Sequence, residues 1–423
     1  MARLEIILLT RHKLAVIAEK IQLSAMATGS TERLPQIFWE NSRPWAEANL
    51  WLYERVSEGQ VTEDTIHSNA VALYAYAQWL ENTATSWSDF PQRKADRCLV
   101  KYRGSLKERM RKGEISTSVA SNRIRVVISF YRWLNANKLI STDWPMWTER
   151  LVGVRIQNSF GLDRTLLVNS TDLAISNRRS NTDKLEDGLL PVSPAFRDEI
   201  LGVAREHSSE ELELMLSLSF FTGMRLGTIC DLKLETIENA SPDPATPNLY
   251  RLEVGPEATP SVHTKGGVTG FVWILKGQLE TIKDYMYSLR RINRESLAEE
   301  ANKNLVFLTR FGNPYTRNSN RSSVINVEMY SLRKAAVAKG IKVHEFRFHQ
   351  ARATFATELT RALIESHGKV NILEIVKSAM LHKHESTTLK YIKFVEKSPV
   401  KAEAANAFTR AFLGIKEMEL RNV

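Results

Sequence analysis

Cysteine is nearly absent. The 423-residue chain carries two, Cys98 and Cys230, too few for a disulfide framework or a four-cysteine metal site, and a reducing compartment fits best. Long apolar runs are missing too: nothing approaches the ~18 continuous apolar residues that a membrane helix needs. The opening "MARLEIILLTRHKLAVIAEKIQL" breaks its short apolar run with Arg11, His12 and Lys13, and no small-residue cleavage site follows, so it does not read as a secretory signal. The chain looks ordered only beyond Met26, which makes Met26 a candidate initiator. There is no internal repeat and no low-complexity tract. What remains is 43% apolar and 25% charged, a normal balance for a soluble protein with real cores, at a length suited to two domains with room for a third.

Charge is in excess of one sign, +10 overall, and its distribution says more than its size. Residues 101–150 hold eleven Lys and Arg against four Asp and Glu, and residues 301–350 hold nine against two, whereas residues 201–250 hold three against eight. Two separated basic blocks suit a protein that grips a polyanion from two sides. They suit solvated helix faces as well, so charge alone leaves both readings open.

From about residue 45 to 145 the pattern is helical. In "TEDTIHSNAVALYAYAQWL" Thr62 is a natural N-cap with Glu63 and Asp64 in the first turn, and Ile66, Ala70, Leu73, Ala77 and Leu80 recur at helical spacing. In helix 118–136 Ala120, Ile124, Val127, Tyr131 and Leu134 form one face, with Arg123, Arg125 and Arg132 elsewhere. Residues 146–192 lose this period and are rich in turn formers, as a linker or extended segment would be. Ser193 as N-cap and Pro194 at the first helical position then open a second domain, 193–400. It reads as mostly helical with one β island: "NLYRLEV", "PSVHTKGG" and "TGFVWIL" as three short strands. Residues 1–44 form an N-terminal extension, and 401–423 a short amphipathic helix with Ala404, Phe408 and Phe412 on one face. The expected fold class is mainly α with a small antiparallel β-sheet.

The second domain presents its chemical candidates in order. Arg225 follows an apolar helix in "TGMR". Lys265 sits in "TKGG". His349 and Arg352 sit in "HQARATFAT", and His382 and Tyr391 in "LHKHESTTLKY". Each alone has an ordinary structural reading: a surface arginine, a turn lysine, a tyrosine packed on a helix. As an ordered set, together with "LVFLTRFGNPYT" between them, they resemble the tyrosine recombinase family, also called phage integrases. The likeness extends over roughly residues 45–400, with 45–145 similar to the family's helical core-binding, DNA-binding module ahead of its catalytic domain.

The resemblance implies a site-specific recombinase or integrase of a mobile element that cleaves and rejoins DNA through a 3′-phosphotyrosine, with no metal, ATP or other cofactor. Tyr391 would be the nucleophile, storing the bond energy of the cut strand. Arg225 and Arg352 would hold the non-bridging oxygens and the added negative charge of the pentacoordinate state. His349 would assist proton transfer at the tyrosine, Lys265 would protonate the departing 5′ oxygen, and His382 would add a hydrogen bond to the phosphate. The partners implied are double-stranded DNA with inverted-repeat core sites, three further copies in a tetrameric synapse, with the C-terminal helix docking between subunits, and accessory DNA-bending or directionality proteins. No membrane is implied; the setting is cytoplasmic, at the nucleoid. The two domains would clamp the duplex, with Arg123 and Arg125 on a groove-facing helix.

"HEFR" offers a second H-x-x-R pair, His344 and Arg347. Five residues earlier is about 140° around a helix, so both pairs cannot face one phosphate. The "ATFAT" after Arg352 favours the later pair and leaves Arg347 as a DNA-backbone contact or a solvated residue. The sequence departs from the family at three places: Thr228 where an acid is usual, with Asp231 as a substitute, Ala353 where histidine is common, and Leu381 where glycine is usual. Alternatives that share the chemistry are a hairpin telomere resolvase or a type IB topoisomerase-like enzyme. A third is a non-catalytic DNA-binding protein that keeps the fold.

Overall fold

The structure, a computed structural model, describes residues 1–9, 12–17, 20–25, 32–59, 61–157, 163–177, 185, 188–316, 322–343, 346–366 and 371–396. His344 and the proposed docking helix 401–423 lie outside these. The chain divides into two compact units, Met1–Ser180 and Asn181–Val423. The fold is mainly α with small antiparallel sheets, and no helix among the described residues is long and apolar enough to cross a membrane.

The first unit begins with strands β1 (Arg3–Leu9), β2 (His12–Ile17), β3 (Lys20–Ala25) and β4 (Glu32–Phe38), paired β1 with β4 and β2 with β3. Order therefore starts well before Met26, contrary to the sequence expectation. Ala2 and Ile37 are buried in the same core as the helices, and the buried Asn49 amide exchanges two hydrogen bonds with the Ile37 backbone, at 2.8 and 3.0 Å. The Ile37 carbonyl also accepts from the Trp45 N–H at 2.8 Å, so the buried strand end is well supplied with partners.

Helices α1 (Ala46–Ser57), α2 (Glu63–Asn82), α3 (Cys98–Arg111) and α4 (Thr117–Ala136) build the rest of this core. Thr62 caps α2, its side chain accepting from the Thr65 backbone N–H, and Ser116 caps α4 through Val119. The predicted apolar faces of α2 and α4 are all buried. The segment expected to be a linker contains a two-stranded hairpin, β5 (Glu149–Gln157) and β6 (Asp163–Thr171).

In the second unit, Ser193 caps α5 (Pro194–His207) with proline at its start, as expected. Helix α6 (Glu210–Thr222) is the centre of the core: Leu212, Leu214, Met215, Leu216, Leu218 and Phe220 are all buried, so it is apolar nearly all round. Glu211 is buried with them, at 0% exposure. It accepts hydrogen bonds from the Tyr285 hydroxyl at 2.9 Å and Arg290 at 2.7 and 2.9 Å, and pairs with Arg294 at 2.9 Å. Short helices α7 (Leu226–Cys230) and α8 (Leu234–Glu238) follow.

The β island has the order β7 (Ser241–Pro242), β8 (Leu249–Val254), β9 (Gly270–Leu275). "PSVHTKGG" is not its middle strand. It ends in a turn in which Gly266 and Gly267 take φ of +83° and +66°, values closed to a strand. Helices α9 (Lys276–Met286), α10 (Leu289–Glu295), α11 (Ser323–Ala338), α12 (His349–Glu365) and α13 (Ile372–Ala379) complete the unit, with a last helical stretch over residues 385–396.

Candidate active site

Arg225 stands at the sharp turn between α6 and α7. Gly223 closes α6 in the left-handed region at φ +70°. A Cβ there would lie 2.5 Å from Phe355 and 2.9 Å from Met380, so both backbone and space demand glycine. The Ser219 hydroxyl donates to the Met224 carbonyl at 3.2 Å and fixes the exit of the turn, and Arg225 then stands at the N-cap position of α7.

Arg352, 2% exposed, comes from the first turn of α12. Its guanidinium donates to the Gly223 carbonyl at 2.5 Å and to the Met380 carbonyl at 2.8 Å. One planar fork thus joins the Arg225 turn to the end of α13, a geometry lysine cannot reproduce. Arg225, Thr228, Thr264, Arg352, Met380 and Leu381 line one small hollow. His349 is the first residue of α12, half-buried. Arg347 precedes the helix and is exposed, its backbone N–H held by the Gln350 side chain at 2.8 Å, so the two H-x-x-R arginines differ sharply in setting.

The end of α13 explains one departure from the family pattern. The His382 N–H donates to the Lys377 carbonyl and the Leu381 N–H to the Ser378 carbonyl, both at 3.0 Å. This is a Schellman closure with Leu381 at the position that takes the left-handed conformation, and its φ is +49°. His382 follows, 4% exposed, with Nδ1 at 2.9 Å from the Thr388 hydroxyl. Its ring stacks on Tyr391, centroids 5.9 Å apart and planes at 16°.

Tyr391 itself is fully buried, in a cluster with Leu185, Ala353, Ala356, Val376 and Met380. Ala353, where the tyrosine recombinase pattern commonly has histidine, is buried in the same cluster as the tyrosine.

Lys265 is exposed in a turn closed by the Thr264 hydroxyl on the Val268 carbonyl, at 2.7 Å, and by Gly267 N–H on the Thr264 carbonyl, at 3.1 Å. Asp231 braces the approach to this turn, accepting from His263 N–H and from Lys233, each at 2.6 Å. It supports the lysine-bearing segment, while the buried Thr228 lines the arginine hollow. Sequence reasoning missed Gly223, Met380, Gly270 and Thr388. Gly223 had a signal, a glycine straight after an apolar helix; the others had none. Among the described residues, no group of three or more His, Cys, Asp or Glu is placed to hold a metal ion.

On the first unit, Arg123 and Arg125 line different hollows. Arg123 faces one with Trp79 and Arg109, and Arg125 faces one between α4 and the β5–β6 hairpin, about 330 Å³. Two residues apart on a helix is about 200°, so the two cannot share a face.

Residues 197–397, within the second unit, match the phage integrase family. The structure is similar to that of the XerH site-specific recombinase bound to palindromic difH substrate, in a post-cleavage complex. The TM-score is 0.50 and the identity 16%, over 82% of this chain and 80% of that one, a likeness of fold. A lambda integrase dimer bound to a COC′ core site aligns at TM-score 0.47 and 13% identity over 82% and 94%. The Tn1549 transposon integrase with circular intermediate DNA aligns at 0.47 and 15% over 82% and 94%. No curated protein sequence matches the chain.

Proposed function

We propose that this protein is a site-specific DNA recombinase that cuts and rejoins strands through a phosphotyrosine at Tyr391. The observation that carries the reading is the shared hollow of Arg225 and Arg352, which also contains the neighbours of Lys265 and His382, with the Tyr391 ring stacked on His382. The phenolic oxygen attacks phosphorus and its proton passes to His349. Arg225 and Arg352 stabilise the pentacoordinate charge. The bond from phosphorus to the 5′ oxygen breaks, and the Lys265 ammonium gives that oxygen a proton. A 5′ hydroxyl of the partner strand then reverses the steps and reseals the chain. Four copies acting on two duplexes complete an exchange.

The buried setting of Tyr391 requires residues 385–396 to carry the ring out of its apolar seat once DNA is bound. That burial also sustains a second reading, a DNA-binding protein that no longer cuts. Nicked suicide duplexes tiled across the DNA flanking the gene separate the two. A denaturing gel should show a covalent adduct that Tyr391→Phe abolishes while binding persists. Binding with no adduct on any duplex overturns catalysis.

A further inference from the structure

Leucine at position 381 is costly. A non-glycine residue in the left-handed region is strained, and glycine is the usual occupant of this position in a Schellman closure. The side chain is spent on a contact. A Cβ on Gly270, the first residue of β9, would lie 2.8 Å from Leu381 Cδ2, so the bare backbone of Gly270 is what leaves room for the leucine. Strand β9 is the arm that leaves the Lys265 turn. Lys383 lies near the turn beside it: a Cβ on Gly266, were there one, would sit 3.7 Å from Lys383 Cδ. At the other arm Asp231 holds the His263 N–H. The turn between is closed by its own hydrogen bonds, so fixing the arms fixes Lys265.

We infer that Leu381 is a positioning residue, wedged against Gly270 to dock the Lys265 turn onto the loop that carries His382. The inference rests on the proposed strand cleavage, with Lys265 as the proton donor. It gives the departure from glycine a use: the acid-bearing turn is held beside the phosphate site before DNA arrives. Gly270 and Leu381 then act as one unit, a missing side chain on the strand matched to an added one on the loop.

Two measurements test this. In the free protein, hydrogen exchange of the 264–270 amides should quicken about tenfold in Leu381→Ala and Leu381→Gly, stay unchanged through α12, and return to the wild-type rate in Leu381→Met. On suicide duplexes, Leu381→Ala should form adduct roughly 10²-fold more slowly, the scale of a misplaced general acid. On the same duplex with sulfur replacing the bridging 5′ oxygen, the defect should largely vanish, because a thiolate leaves without a proton. Unchanged exchange, or an equal defect on oxygen and sulfur, overturns the inference. Lys265→Ala run in parallel isolates the reading beneath it: a Lys265→Ala defect that sulfur does not relieve removes the lysine as acid. A wild-type protein that yields no adduct on either duplex removes the function and with it the catalytic role of Leu381, while the exchange measurement still decides whether the leucine docks the turn.

Discussion

Gly223→Ala should be among the most damaging single-methyl changes in the second unit, and the structure separates its cost into two parts. The left-handed backbone, φ +70°, costs a non-glycine residue about 1–2 kcal/mol. The new methyl would meet Phe355 Cδ1 at 2.5 Å and Met380 Sδ at 2.9 Å, and overpacking of this kind costs roughly 1–3 kcal/mol. The sum is about 2–5 kcal/mol by these figures, read as a lower urea midpoint at unchanged slope. Gly340 supplies the control. It has φ +78° with open space where its Cβ would stand, so Gly340→Ala should show the backbone part alone. Phe355→Leu in the Gly223→Ala background should recover part of the steric cost, a coupling of about 1 kcal/mol in a double-mutant cycle. Equal losses at 223 and 340, or a coupling of zero, would refute the claim that the arginine turn is packed shut. Under the proposed function, because Arg352 donates to the Gly223 carbonyl, adduct formation should fall with the stability.

Other outcomes follow from the same structure. Glu211→Gln should destabilise the second unit by about 3–5 kcal/mol, since it strips the counter-charge from a buried network. Burial pushes the Glu211 pKa up, but the Arg290 and Arg294 contacts outweigh it and leave it below the ordinary value. The stabilisation is therefore complete above the unfolded carboxylate pKa of about 4.3 and is lost as pH falls through the lower folded value, so acid unfolding followed by circular dichroism should be less steep in Glu211→Gln. Under the proposed function, DNA affinity in a filter-binding titration should fall linearly with log salt. Arg125→Ala should weaken binding alike on all sequences and reduce that slope by about one; a sequence-selective loss would assign Arg125 to base contact instead.

Caps and periodicity made the long helices legible, because Thr62, Ser193 and the buried faces of α2 and α4 are local features with one structural solution. The candidate site was legible only as an ordered set of motifs resembling a known family; of that set, the structure brings Arg225 and Arg352 to one hollow. The β5–β6 hairpin was not legible. Leu151 and Val152, adjacent and on opposite faces, are both exposed, at 67% and 46%, so at these residues the ribbon imposes no alternation on the sequence. "PSVHTKGG" has β-like composition, but its two glycines serve a turn. Leu381 hid the closure of α13 because leucine is the wrong residue to announce it. Tyr391 was expected within reach of DNA, and nothing in its spacing foretells that its ring is packed out of solvent.

That packing has a consequence beyond geometry. Under the proposed function, a phenol able to open a DNA strand is a hazard whenever the protein is idle. Packed in an apolar cluster and stacked on His382, it is kept from stray phosphate. Under the proposed function, telling the right DNA from the wrong is then done by the unseating of residues 385–396, ahead of any bond being broken, and the tempo of recombination is set by that release.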